Sequence, residues 1–176
     1  MENFIVVDIP GFYRVIALKP FRKTEGVDFD IVPMEYLPTI HGIDRVVHQR
    51  GAISPSAVAG VMHPWYMHPQ QQDNLLVLSG RRTVELYTRE RGCVETLVVE
   101  PEKVTSAGKT VCDHPALVAW PRGVFHRITS GEAGSVSLNF AVRDPKCDMK
   151  TNFNIYDLDT AKGTCTLIRE GYLDQS

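Results

Sequence analysis

Two histidines, a tyrosine and an aspartate are the residues of this chain whose types and spacing suggest chemistry. Tyr66 and His68 lie two residues apart, so in a β-strand both side chains point to one face. Asp73 follows five residues after His68, and His126 comes much later. Imidazole and carboxylate groups that meet at one point suit iron, zinc, nickel or manganese and leave positions open for substrate. The set His68, Asp73 and His126 therefore predicts a divalent metal site.

Short strands joined by turns are the elements expected to position these residues. A proline and a run of glutamines after His68 leave room for a turn, so Asp73 is expected to begin an antiparallel neighbour of the strand that holds His68. The sequence Pro-Arg-Gly favours a tight turn just before the strand of His126. We expect His126 to reach the site from across a barrel.

Neighbouring side chains extend the set of candidates. His63 lies five residues before His68 and is a fourth candidate metal ligand, although strand alternation places it on the opposite face unless a bulge intervenes. Gln72 offers an amide oxygen in place of the Asp73 carboxylate. Tyr66 is interpreted either as a barrel-lining aromatic or as a proton donor. We expect Tyr66 to be catalytic together with the two histidines of the motifs.

Residues 60–80 and 121–126 form a pair of motifs that resembles those of the cupin superfamily. The first has a glycine, five residues, Tyr66, one residue, His68, four residues, Asp73, six residues and a glycine. The second reads Pro-x-Gly-x-x-His. The resemblance implies an all-β fold, the double-stranded β-helix or RmlC-like, cupin-like jelly roll, with little helix.

Three positions depart from the usual cupin pattern. Tyr66 stands where the family has a first histidine, and Asp73 stands where it has a glutamate. Ser130 stands where the second motif of the family ends in an asparagine. The remaining spacing agrees with the family, so the resemblance still implies a site in the mouth of the barrel.

Length and apolar periodicity indicate one domain over residues 1–176. The barrel motifs lie within 60–130, and the flanking segments 1–50 and 143–176 are expected to extend the sheets or to form a dimer contact. Prolines leave room for only one helical turn in residues 29–42. Strands are predicted at 5–7, 13–18, 57–62, 75–78, 83–87, 95–99, 116–120, 126–129, 136–142, 153–156 and 165–169.

Composition narrows the classes of partner. The chain has 19 lysines and arginines against 21 acidic residues and no basic block, which argues against nucleic acid. The apolar run at residues 4–7 is too short for a signal peptide or a membrane span, so a cytoplasmic protein with no membrane partner is predicted. No cysteine pair has C-x-x-C spacing, and the four cysteines are expected to be free thiols.

Three functions remain open. The leading hypothesis is a metal-dependent enzyme acting on a small polar or carboxylated organic molecule, as a dioxygenase, isomerase, lyase or decarboxylase. The first alternative is a metal-free sugar-nucleotide epimerase or ketoisomerase, in which the resemblance implies His68 or His126 as base and Tyr66 as acid. The second alternative is a non-catalytic protein that binds a small ligand. A homodimer is expected by resemblance alone.

Overall fold

The structure is a computed structural model that describes residues 3–37 and 39–175. Within these residues the chain forms fifteen strands, one four-residue α-helix and one short 3₁₀ helix, Gly171–Asp174. The elements are β1 (Ile5–Ile9), β2 (Tyr13–Ala17), β3 (Lys19–Thr24), β4 (Val27–Ile31), β5 (Gly42–His48), β6 (Ile53–Ser54), β7 (Trp65–Met67), β8 (Gln71–Tyr87), β9 (Val94–Glu100), β10 (Lys103–Ser106), β11 (Lys109–Cys112), β12 (Ala116–Trp120), β13 (Phe125–Arg143), α1 (Met149–Asn152), β14 (Ile155–Asp159) and β15 (Thr164–Arg169).

The two longest strands, β8 and β13, pair antiparallel along nearly their whole length. Both change register near their middle, where Gly80 has a φ of +74° and a Cβ atom would lie 2.0 Å from the carbonyl oxygen of Gly134. Only glycine tolerates that backbone conformation and that close approach. The bend lets each strand contribute to two layers. The predicted strands 75–78 and 83–87 are therefore the two halves of β8, and those at 126–129 and 136–142 are the two halves of β13.

The other strands attach to these two in antiparallel pairs. One half of β8 pairs with β12, followed by β2 and β1, and the other half pairs with β9, which leads to β10 and β11. Strands β5, β6 and β7 pair with β13, and β7 continues to β14 and β15. Strands from both ends of the chain thus join the central sheet.

The main hydrophobic core lies between the layers and is built from alternating residues of β2, β8, β9 and β12. Val15, Val84, Leu97 and Val118 are fully buried there. A smaller cluster around Trp65, Tyr87, Phe125 and Leu158 packs β14 against the barrel. Large β-branched and aromatic side chains at alternate positions favour strands, which explains this pattern.

Some predicted elements differ from those observed. Residues 57–62 form no strand and contain one isolated bridge between Val58 and Val61. The stretch 29–42 holds the end of β4 and one turn, in which Tyr36 and Leu37 donate backbone hydrogen bonds, and this agrees with the room left by the prolines. Strands β3, β4, β5, β6, β10 and β11 were not predicted. No helix within residues 3–37 and 39–175 is long and apolar enough to cross a membrane.

Candidate active site

A cavity of about 250 Å³ lies inside the barrel. Its walls come from β5, β6, β7, β8, β12 and β13 and from the residue after α1. Two groups of polar side chains line it, and each group is held by its own hydrogen bonds. Asp73 belongs to the first group and Arg82 to the second.

The predicted residues His68, Asp73 and His126 do meet, and all three are buried. Asp73 Oδ2 lies 3.4 Å from His68 Nε2 and 3.8 Å from His126 Nε2. Asp73 Oδ1 accepts hydrogen bonds of 2.7 Å from the side-chain amides of Gln71 and Asn139. The carboxylate is therefore held by two amides on one oxygen, while its other oxygen faces the two imidazoles.

The strands place these residues differently from the sequence-based prediction. His126 on β13 is directly opposite Tyr66 on β7, so the two are neighbours in one sheet. Asp73 on β8 pairs with Trp120 on β12, and β8 is not hydrogen-bonded to β7. Asp73, not His126, reaches the site from another part of the barrel. The prediction of adjacent strands for His68 and Asp73 is wrong because the bend in β8 directs that strand towards β12.

Both imidazole rings present the same edge to Asp73. His68 Nδ1 lies 2.5 Å from the backbone carbonyl oxygen of Asn152, and His126 Nδ1 lies 3.2 Å from that of Val124. Because a carbonyl oxygen only accepts hydrogen bonds, each Nδ1 carries the proton. In both rings, Nε2 is therefore the atom that takes up or releases a proton in the site.

The segment around α1 fixes the orientation of His68. Asp148 caps α1, and the last residue of that helix, Asn152, is fully buried and contacts Gln71 through its side chain. Phe153 packs edge-on against the His68 ring at 4.7 Å between centroids. Sequence reasoning missed Asn152 because its contact with His68 joins residues that are far apart in the chain.

Burial separates the roles of the two histidines. The desolvation of His126, together with the nearby charge of His68, lowers the pKa of His126 to about 4. His126 is therefore neutral at pH 7.

Tyr66 lies beside both imidazoles. Its ring centroid is 6.0 Å from that of His68 and 5.9 Å from that of His126, and it is nearly parallel to His68, at 26°. Burial and then the charge of Asp174 raise the pKa of the Tyr66 phenol, and a hydrogen bond with Ser54 opposes this rise. Tyr66 is protonated at neutral pH and can donate that proton.

The second polar group contains Arg82, which the sequence analysis did not single out. Arg82 is buried, and its Nε donates to Ser135 Oγ at 2.9 Å while its Nη2 donates to the carbonyl of Val46 at 3.2 Å. His48 Nδ1 lies 3.1 Å from Ser130 Oγ. We call Arg82, His48, Ser130 and Ser135 the arginine end of the cavity. In the sequence, Arg82 falls at the same alternate positions as the apolar residues Val84 and Leu86, which places it on the inward face of a strand. This alternation was the available signal.

Other sequence-predicted candidates lie elsewhere. His63 is exposed, does not line the cavity, and contributes only its backbone carbonyl to Arg127. Gln72 faces away from Asp73 because neighbouring strand residues point to opposite sides, and its amide donates to Asn74. Arg127 pairs with Glu85 at 2.7 Å. The assignment of His63 and Gln72 as ligands therefore has no structural support.

Comparison with known proteins identifies the fold. No family model and no curated protein sequence matches this chain. The chain is similar to the dTDP-6-deoxy-D-glucose-3,5-epimerase RmlC of Legionella pneumophila in complex with dTDP-4-keto-L-rhamnose, with a TM-score of 0.58 and 13% identity over 81% of this chain and 72% of that one. The chain therefore has the cupin-type jelly-roll fold. It is also similar to a variant of the 3,4-ketoisomerase QdtA of Thermoanaerobacterium thermosaccharolyticum in complex with TDP-4-keto-6-deoxyglucose, with a TM-score of 0.55 and 11% identity over 78% and 86% of the two chains.

A third similar structure is NovW of Streptomyces spheroides, a 4-keto-6-deoxy sugar epimerase, with a TM-score of 0.55 and 13% identity over 79% of this chain and 68% of NovW. These comparisons correct the leading hypothesis. The prediction of a metal-dependent enzyme with iron, zinc, nickel or manganese is wrong, because the structures that share the fold are sugar epimerases and ketoisomerases. They agree instead with the first alternative, in which histidine and tyrosine exchange protons.

Proposed function

We propose that this cupin is an acid–base enzyme that needs no metal and moves a proton at a carbon next to the carbonyl group of a keto sugar. The observation that carries the proposal is the buried cluster in which Asp73 Oδ2 faces Nε2 of both His68 and His126, with Tyr66 beside them. The similar structures are epimerases and ketoisomerases, which supports the same reaction class.

His68 is the proposed base. Its Nδ1 is held by the carbonyl of Asn152, so Nε2 carries the free electron pair that takes the proton from carbon. The electrons of the broken C–H bond move to the carbonyl oxygen and form an enolate. Asp73, 3.4 Å from Nε2, stabilises the imidazolium that results.

Tyr66 is the proposed acid. Its protonated phenol returns a proton to the enolate, and His68 then restores the phenol through solvent or product. Protonation of the same carbon from the opposite face gives an epimer. When a proton first passes from the hydroxyl group of the deprotonated carbon to the enolate oxygen, protonation of the former carbonyl carbon gives the isomeric ketone. His126 remains neutral at pH 7, because burial lowers its pKa to about 4.

Deuterium exchange tests this proposal without knowledge of the natural substrate. The protein is incubated in deuterated water with TDP-4-keto-6-deoxyglucose and, separately, with 5-keto-D-gluconate and D-fructose, and proton NMR follows the C–H signals next to each carbonyl. We expect exchange in at least one sugar and a loss of at least about 10²-fold for His68→Asn. The matched control is His114→Asn, since His114 is 71% exposed and lies outside the cavity.

The Tyr66→Phe variant separates the two half-reactions. We expect it to retain deuterium exchange, because His68 still removes the proton, but to lose formation of epimer or isomer. Tyr36→Phe, outside the cavity, is the control. If wild-type protein exchanged none of the three sugars, the acid–base proposal would be wrong.

A further inference from the structure

We propose that the cavity holds its substrate by an anionic carboxylate group bound at Arg82, which makes the substrate a keto sugar acid. This inference rests on the proposed function for the carbonyl chemistry, but binding of the anion at Arg82 does not depend on turnover. The inference starts from a buried cation that the fold itself does not neutralise.

The Arg82 side chain is 1% exposed and lines the cavity. Its protein partners are a hydroxyl and a backbone carbonyl, and among residues 3–37 and 39–175 no carboxylate forms an ion pair with it. Burial alone lowers the pKa of Arg82, to about 10, and no acidic neighbour opposes the shift. Buried charges are normally paired, because removing a charge from water is costly. An anionic ligand would supply the missing partner.

The two acidic residues of the same cavity have their own partners. Asp73 is occupied by the amides of Gln71 and Asn139 and by the histidines. Asp44 pairs with Arg143 Nη2 at 3.5 Å and accepts a hydrogen bond from Asn139. Neither acid neutralises Arg82, so the positive charge of Arg82 remains available to a ligand in the cavity.

The net charge at the arginine end suits a monoanion. Burial and the charge of Arg82 lower the pKa of His48 to about 4, so His48 is neutral at pH 7. The arginine end therefore presents one positive charge. A carboxylate carries one negative charge and matches the planar fork of an arginine, whereas a phosphate dianion exceeds it.

Two further polar atoms in the cavity lack a partner. Trp120 and Ser137 line the cavity, and the Nε1 atom of Trp120 and the Oγ atom of Ser137 are buried without a hydrogen bond to the described residues. Buried polar atoms are almost always satisfied, so two unpaired ones on residues that line the cavity favour a polar ligand there. Their positions on β12 and β13 surround the same volume as Arg82.

The separation of the two polar groups fits a molecule the size of a sugar. Arg82 on β8 is opposite Ser130 on β13, four residues along that strand from His126. At the usual strand rise this corresponds to roughly 13 Å of backbone, which inward-pointing side chains shorten. A carboxylate at Arg82 thus places the rest of a six-carbon chain towards the histidine cluster. A cavity of about 250 Å³ has room for such a chain.

The test is an NMR titration of the full-length protein with D-glucuronate, D-glucose and D-glucose 6-phosphate at one ionic strength. The reporter is the indole N–H resonance of Trp120, which gains a hydrogen-bond partner in the proposed complex, and that of Trp65 is the internal reference. We expect glucuronate to shift the Trp120 resonance saturably and to bind at least about tenfold more tightly than glucose.

Variants connect that binding to Arg82. We expect Arg82→Met to weaken glucuronate binding by about ten- to a hundredfold, which is the effect of losing one charge-assisted hydrogen-bonded contact. Arg82→Lys keeps the charge and is expected to lie between the wild type and Arg82→Met. The matched control is Arg81→Met, because Arg81 is the adjacent, exposed residue. Circular dichroism verifies that each variant is folded.

Two results would overturn the inference: equal binding of glucose and glucuronate, or wild-type glucuronate binding by folded Arg82→Met. Tighter binding of glucose 6-phosphate than of glucuronate would overturn the choice of a carboxylate. The His68→Asn variant separates this inference from the proposed function, since it is expected to keep glucuronate binding while it loses deuterium exchange. Glucuronate binding in a protein that exchanges no sugar would support the anion site and contradict the proposed function.

Discussion

Replacing Asp73 by asparagine removes the charge of the cluster while preserving its shape. Asp73 Oδ2 lies 3.4 Å from His68 Nε2, and a charge pair at that distance contributes about 5 kcal/mol at an effective dielectric constant of about 20. The asparagine dipole replaces part of this stabilisation of the imidazolium. A remaining loss of about 3–4 kcal/mol corresponds to a rate of proton removal that is about 10²- to 10³-fold lower.

The assay is the rate of deuterium exchange into TDP-4-keto-6-deoxyglucose or whichever keto sugar the wild type accepts. Asp44→Asn is the matched comparison, because Asp44 lines the same cavity but pairs with Arg143 rather than with His68. We expect Asp44→Asn to lose less than about tenfold. Folded Asp73→Asn with an exchange rate within threefold of wild type would refute the pairing of His68 with Asp73 in catalysis.

Three predictions concern stability. First, the pKa of His126 is about 4 in the folded protein and 6.5 in the unfolded chain, so the native state binds fewer protons between these values and the free energy of unfolding falls as the pH drops from 6.5 to 4. The loss of free energy of unfolding is about 3 kcal/mol. Urea unfolding at several pH values should show a smaller decrease of this free energy with falling pH for His126→Asn. An unchanged pH dependence in that variant would contradict the lowered pKa of His126. Second, Arg82→Met should unfold at an equal or higher urea concentration, because it removes a buried charge without a counter-ion; a loss above about 2 kcal/mol would indicate a structural role instead. Third, Gly80→Ala should lower the free energy of unfolding by more than about 3 kcal/mol, since the added Cβ would overlap the Gly134 carbonyl. Gly92 also has a positive φ but lies in open space, so Gly92→Ala should lower the free energy of unfolding by only about 1 kcal/mol. Similar thermal midpoints for the two glycine variants would contradict the account of the bend.

The histidine cluster was accessible to sequence reasoning because its residues lie at fixed spacings within two motifs. His68, Asp73 and His126 meet as predicted, although the strands that bring them together are different ones. The predicted strand 75–78 stops short of Gly80, whereas in the folded chain Gly80 is the bend of one long strand, β8.

The part of the arginine end that β5 supplies was not accessible to the same reasoning, because β5 inverts the usual pattern. In β5 the inward residues are Asp44, Val46 and His48, while Ile43 and Val47 face outward and are exposed. Apolar periodicity therefore predicts that the wrong face of β5 points into the barrel. The partner of β5 lies almost 90 residues later in the chain, at Ser135 to Ala141, and nothing local specifies that pairing.

The central claim is that His68 removes a proton from carbon with the help of Asp73 and without a metal ion. It is tested most directly by deuterium exchange with protein that has been unfolded in chelator, refolded and verified metal-free by elemental analysis. We expect the metal-free wild type to exchange a keto sugar at the rate of untreated protein, and metal-free His68→Asn to be at least about 10²-fold slower. Exchange that disappears on metal removal and returns with an added divalent ion, or that persists in His68→Asn, would contradict the account.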